Sequence, residues 1–273
     1  MRAEEHPRQH RLVRSVRGYR YIWAESTSVM SGYAERMWAR YSEVRPHCSP
    51  PSRTQDLLAG GASVPRKRFL HLLPTRKDAA ILDVGCGYGN FLYFLQSEGF
   101  TETRGIDLNS QQLEVARSLG VRNVQCCEGK EFLRSSVGKF DFISAIDVVE
   151  HMPKDQVLEF LDLVHAALRP GGRFLCQVPN LAAFYRPVFY MDFSHETPFT
   201  ASSLKQVLQL ANFENVRVFP MGPVAYGVKS AIRCLLWKAV TAGLRLIQTI
   251  EGGPRGSLDT IYTCAILAVA DKV

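Results

Sequence analysis

The sequence predicts an α/β protein whose mostly parallel sheet is covered by helices on both faces. Three observations carry this expectation. Between residues 77 and 220, apolar runs of strand length alternate with amphipathic stretches of helical period. The first apolar run, 79–84, breaks into a glycine-rich turn. Several helical stretches open on a Ser or Thr that can cap them, and one ends on a Pro-Gly-Gly turn.

Taken in order, the strand at 79–84 leads through the glycine turn into a helix at 90–97. A second strand covers 104–108, and a helix follows at 110–119 with Ser110 as its expected cap. Strands are expected at 121–127 and 140–148. The amphipathic helix 154–168 stops at Arg169-Pro170-Gly171-Gly172. A fifth strand at 172–179, a helix at 200–211, a strand at 215–220 and a last strand at 261–270 complete the pattern. Residues 1–76 read as an N-terminal helical cap with a basic arm, and residues 77–273 as the main domain, with a helical insertion over about 222–257. In the cap, 46–51 (PHCSPP) and Gly60-Gly61 read as loops, and 31–41 as a helix with Tyr33, Met37, Trp38 and Tyr41 on one face.

Composition narrows the class. The 273 residues are 46% hydrophobic and 22% charged, which is ordinary for a protein with a substantial core. No uninterrupted apolar run reaches the roughly 18 residues of a membrane span, and the Arg-rich N-terminus has no apolar segment of a secretory signal. The expected location is cytoplasmic, with peripheral membrane contact as an open alternative. Seven scattered cysteines without a CxxC pair read as reduced thiols, so neither disulfides nor a metal centre is expected. Of the net charge of +7, four units come from residues 1–20, where six arginines face two glutamates. That arm suits an anionic surface, and equally a solvated helical face.

The chemistry begins at Ile81-Leu82-Asp83-Val84-Gly85-Cys86-Gly87-Tyr88-Gly89-Asn90. Glycines after a buried strand let the main chain turn sharply and approach a ligand. Nicotinamide enzymes use such a loop too, but with GxGxxG spacing, and here position 90 is Asn. Asp83 also places an anion where a pyrophosphate would be repelled and a cationic ligand attracted. Asp107, 22 residues after Gly85 at a strand end, can accept both hydroxyls of a ribose, and Leu108 can cover a base.

Together the segments ILDVGCGYGNF (81–91), GIDLN (105–109), FDFISAIDVVEHM (140–152), LRPGGRFLCQVPN (168–180) and FTASSLKQVLQLANFENVRVF (199–219) carry a resemblance. They resemble the class I methyltransferases that use S-adenosylmethionine (SAM), especially the branch of ubiquinone-biosynthesis O-methyltransferases and bacterial sugar and small-molecule methyltransferases. The resemblance implies a Rossmann-like seven-stranded sheet whose last strand inserts antiparallel. It implies that Asp83, Gly85, Cys86, Gly87 and Gly89 hold the methionine part of SAM and Asp107 with Leu108 the nucleoside. Glu128 and Gly129 stand where the family commonly has a Gly-Asp-Ala-like turn against the adenine. Ile146 and Asp147 would line the methionine and the acceptor entrance.

Two histidines are candidate general bases, because neutral imidazole accepts protons near neutral pH. His195 leads, in the aromatic segment 184–199 that can cover an acceptor, with Asp192 or Glu196 orienting its ring; His151 follows. The expected reaction is methyl transfer from SAM to a hydroxyl of a small molecule, a sugar or lipid-linked glycan first. Methylation of a quinone-like or polyketide-like ring at O or C, or a SAM-binding subunit without turnover, are the alternatives. Nucleic acid is not expected as acceptor, because no Asn/Asp-Pro-Pro-aromatic motif follows the fourth strand. The apolar-basic stretch 224–250 reads as a surface for membrane or lipid carrier, a dimer face, or a helix packed on the core.

Overall fold

The computed structural model describes residue 37 and residues 51–58, 62–184, 188–253 and 260–273. The basic arm and the expected helix at 31–41, Met37 apart, lie outside the described residues, as do most of the loop at 46–51, Gly60-Gly61 and positions 185–187.

Seven strands form one sheet: β1 Ile81–Val84, β2 Thr103–Asp107, β3 Val124–Cys126, β4 Phe140–Ile146, β5 Leu168–Pro179, β6 Glu214–Pro220 and β7 Ala265–Asp271. Their order is β3-β2-β1-β4-β5-β7-β6. β1 pairs parallel with β2 and β4, and β4 with β5. β7 runs antiparallel between β5 and β6. The expected seven-stranded arrangement with an inserted antiparallel strand is therefore present. The strand order reverses between β1 and β4, so their carboxyl ends open a crevice where ligands of such sheets bind.

The described residues form seven α-helices: α1 Ser63–Phe69, α2 Asn90–Ser97, α3 Ser110–Ser118, α4 Gly129–Arg134, α5 Lys154–Ala167, α6 Ala201–Leu210 and α7 Val228–Gly252. Alternation along the strands divides the core in two. Leu82, Ile143 and Phe174 face Phe160 and Val164 of α5 and Leu204 of α6. Ile81, Phe142 and Leu175 face the other way, against Phe91 and Phe94 of α2 and Leu113 of α3. Leu57, Phe69 and Leu72 join this second cluster, so the described end of the N-terminal cap is part of the same core.

Two local expectations are corrected. α3 is capped by Asn109, not Ser110: its side chain accepts from the Gln112 backbone N–H at 3.1 Å. The long helix begins at Val228, not 224, because Ser230 Oγ accepts from the backbone N–H groups of Tyr226 and Gly227 and fixes its first turn there. α6 has the reciprocal cap between Thr200 and Ser203 that its sequence suggests.

Candidate active site

The glycine loop leaves β1 and folds back onto β2. The Ile106 carbonyl accepts from Gly85 and Cys86 N–H at 2.8 and 3.0 Å, and Gly89 N–H donates to the Cys86 carbonyl at 2.8 Å. Gly85 and Gly87 have φ of +69° and +53°, conformations that L side chains rarely adopt. A Cβ on Gly85 would stand 2.4 Å from Val148 Cγ2, so the loop lies directly against the segment after β4.

Asp107 closes the other side. Its Oδ2 accepts from Gly87 N–H and its Oδ1 from Asn109 N–H, both at 2.8 Å. Burial raises its carboxyl above the usual range, and these N–H donors oppose the shift. Each carboxylate oxygen keeps room for a further donor, such as a sugar hydroxyl. Leu108 is 51% exposed beside it, an apolar surface open to a ring. Glu128 and Gly129 lie half-buried at the end of β3. The Glu128 carboxylate caps α4 by accepting from Glu131 N–H at 2.6 Å through Oε2, a task the sequence reading did not give it.

Asp83 sits beneath the loop, only 3% exposed. Ser144 on β4 donates to its Oδ1 at 2.6 Å. Burial, reinforced by the nearby Asp107 charge, pushes the Asp83 carboxyl up to about 7 against the opposing Ser144 bond. Cys86 is buried, and its thiol is raised by the same loss of solvation.

At the end of β4, Ile146 and Asp147 are half-buried on the crevice. Asp147 takes a positive φ of 55°, held by its N–H on the Gln177 carbonyl at 3.0 Å and by Gln177 Nε2 on its Oδ1 at 3.1 Å. This left-handed residue turns the chain out of the sheet and into the short helix Val149–His151.

His151 and His195 meet there, with ring centroids 4.8 Å apart. The loop carrying His195 is tied to this turn by two backbone bonds, from Glu196 and Thr197 N–H to the Glu150 carbonyl at 2.7 and 3.0 Å. His195 Nδ1 lies 2.6 Å from the Phe189 carbonyl, which can only accept, so Nδ1 carries the proton and Nε2 the lone pair. That Nε2 is 4.0 Å from Oε1 of Glu150, a fully buried carboxylate. His151 Nδ1 is 3.2 Å from the Ser194 carbonyl and 3.0 Å from Ser194 Oγ. Ser194 Oγ in turn donates to Asp192 Oδ1 at 2.5 Å. By the same reasoning His151 also donates through Nδ1 and accepts through Nε2.

Asp192 therefore orients His151 through Ser194, while the Phe189 carbonyl orients His195, whose backbone N–H also donates to the Asp192 carbonyl at 3.3 Å. One ligand atom from each of Glu150, His151 and His195 lies within 4.8 Å of the others. Such a convergence of lone pairs can share a proton or hold a cation. The ring packed on His195 at 5.3 Å, Phe189, is buried, while Tyr190 and Phe193 of the same segment are 74% and 83% exposed. Glu150, Ser194 and Ser144 were not singled out from the sequence. The only signal was an ionisable or hydroxyl residue within an otherwise apolar strand or turn.

A family profile described as a methyltransferase domain matches residues 61–218. Among curated proteins, the chain is 28% identical over 120 residues to the ubiquinone biosynthesis O-methyltransferase of Coxiella burnetii, covering 42% of this chain and 50% of that protein. It is 28% identical over 116 residues to the sphingolipid C9-methyltransferase of Candida albicans, covering 39% of this chain and 23% of that protein. The chain thus spans half or less of the length of these two relatives. Among solved structures, a SAM-dependent methyltransferase from Archaeoglobus fulgidus superposes with a TM-score of 0.56 at 21% identity, covering 80% of this chain and 97% of that one. Phosphoethanolamine N-methyltransferase 2 of Haemonchus contortus, solved with SAM, has a TM-score of 0.53 at 17% identity over 77% of this chain and 52% of that one. At these identities the likeness is one of fold.

Proposed function

The chain belongs to the class I SAM-dependent methyltransferase family, and on that premise we propose that it methylates a hydroxyl of a small molecule, a sugar or lipid-linked glycan. The observation that carries the reading is the pair of lone-pair nitrogens of His151 and His195 at the crevice, on a turn whose segment 188–195 also carries the exposed rings of Tyr190 and Phe193. Imidazole serves a hydroxyl acceptor, whose proton must leave as the new bond forms. Exposed aromatic faces suit the apolar face of a sugar ring.

The residues present fit the cofactor. Asp107 would accept the ribose hydroxyls, Leu108 would cover the adenine, and Asp83 beneath the loop would favour a cationic ligand. The positive-φ loop of Gly85 and Gly87 lets the main chain approach the methionine part. Bound SAM supplies a methyl carbon activated by its sulfonium. The protein aligns the acceptor oxygen with that carbon, and alignment is a large share of the rate. His195 Nε2 would take the proton of the acceptor hydroxyl, and Glu150, 4.0 Å away, would stabilise the imidazolium that results.

Turnover with radiolabelled SAM against nucleotide sugars, lipid-linked glycans and phenols tests the proposal. Label in a glycan, at an oxygen located by mass spectrometry, is the expected outcome. Label only in a phenolic ring would transfer the reading to a quinone-like acceptor, and binding of SAM with no labelled product in any arm would overturn it.

A further inference from the structure

α7 is an amphipathic helix mounted the unusual way round. The face toward the protein carries Ser230, Cys234, Trp237, Thr241, Leu244 and Gln248. Ser230 is 6% exposed, Cys234 Sγ meets the Pro223 carbonyl at 3.3 Å, and Gln248 accepts from the Tyr262 hydroxyl at 2.5 Å. Trp237, half-buried, lies against Gly222. Most of its aliphatic residues face out: Val228 is 79% exposed, Leu235 68%, Leu246 62% and Ile250 76%, with Ile232 and Leu236 between them. At 3.6 residues per turn these six lie within an arc of about 100°. Gly243 falls in the same arc, and a Cβ added there would meet nothing within 4 Å.

Such an outward apolar stripe needs a cover, and its borders identify one. Lys229 and Arg233 flank it on one side and Lys238 and Arg245 on the other, all exposed, against a single acid, Glu251. Long basic side chains on both margins of an apolar stripe can keep their stems in the acyl boundary while their charges reach headgroup phosphates. A second copy of the chain would bring the same four cations against themselves, which opposes self-association through this face. No described helix is long and apolar enough to cross a membrane, and an amphipathic stripe of this kind suits the plane of a bilayer surface.

We propose that α7 is a membrane-docking surface that lays its 228–250 face onto an anionic lipid bilayer. The surface places the enzyme at the bilayer whatever its acceptor, and so stands apart from the methyl-transfer reading. The test is sedimentation of the full chain with phosphatidylcholine vesicles containing none or a third phosphatidylglycerol, at low and high salt, with SAM binding as the check of folding. The expected result is binding to anionic vesicles that falls steeply with salt. Lys229→Glu with Arg233→Glu should weaken it by about tenfold or more, and Leu235→Glu with Leu246→Glu should abolish it, both with SAM affinity intact. Equal binding to neutral vesicles, no binding to either kind, or a lipid-free dimer dissociated by Leu235→Glu would overturn the proposal.

Discussion

Ser144 Oγ donates a 2.6 Å hydrogen bond to Asp83 Oδ1 across the β1–β4 ladder, directly beneath the glycine loop. This bond partly offsets the burial of the Asp83 charge, which still pushes the carboxyl up to about 7.

That shift has a sign. Between the ordinary value of 3.8 and about 7, the folded protein holds the Asp83 proton more tightly than the unfolded chain. The contribution is fully favourable below the lower value and is lost as pH rises through the higher one. Without cofactor, Asp83→Asn should therefore raise Tm relative to wild type at pH 8 and leave it near unchanged at pH 4. A cationic ligand reverses the preference, so SAM should bind wild type more tightly at pH 8 than at pH 6, with proton release seen by calorimetry in two buffers. A pH-independent difference in Tm between the two proteins would remove the burial argument.

Gly85→Val should damage both folding and binding. The new Cβ collides with Val148 and forces a β-branched residue to a φ of +69°. The obstacle is thus the neighbouring segment as well as the ligand space. Strain of this kind costs about 1–3 kcal/mol. Asp107→Ala, by contrast, should keep the melting profile and weaken SAM by about 1–3 kcal/mol through lost charge-assisted bonds. Wild-type affinity in either variant would place the cofactor elsewhere.

His195→Ala should lower kcat by about 10²–10⁴ while SAM affinity stays near wild type. His151→Ala should cost less, and Ser194→Ala should resemble it, because Ser194 links His151 to Asp192. Equal turnover in His195→Ala would show that alignment alone suffices. Loss of wild-type activity on chelation, restored by a divalent ion, would instead assign Glu150, His151 and His195 to a cation.

The glycine loop, Asp107 and the alternation of elements were legible because each is a local pattern: strand, tight turn, helix. The meeting of His151 with His195 was not. It depends on the Glu196 and Thr197 N–H groups reaching the Glu150 carbonyl, a tertiary contact that leaves no periodic trace. Ser110 and Asn109 are adjacent residues of capping type, and only the folded geometry shows that the Asn109 side chain is the one that reaches the third N–H. For α7 the apolar period was visible, but a stripe reads alike whether it faces a core or solvent. The inward contacts of Ser230, Cys234, Trp237 and Gln248 fix its direction.

The position of β7 imposes an order on assembly. β5 and β6 become neighbours only through a strand that is synthesised after both, and after the whole of α7. As the chain leaves the ribosome, β1 to β5 can pair while β5 keeps a bare edge, rich in buried positions, along Phe174–Val178. Closing that edge requires a long loop to form before any ladder contact compensates it, a slow class of event. The unprotected interval, more than the finished sheet, is where this protein is vulnerable to edge-to-edge aggregation.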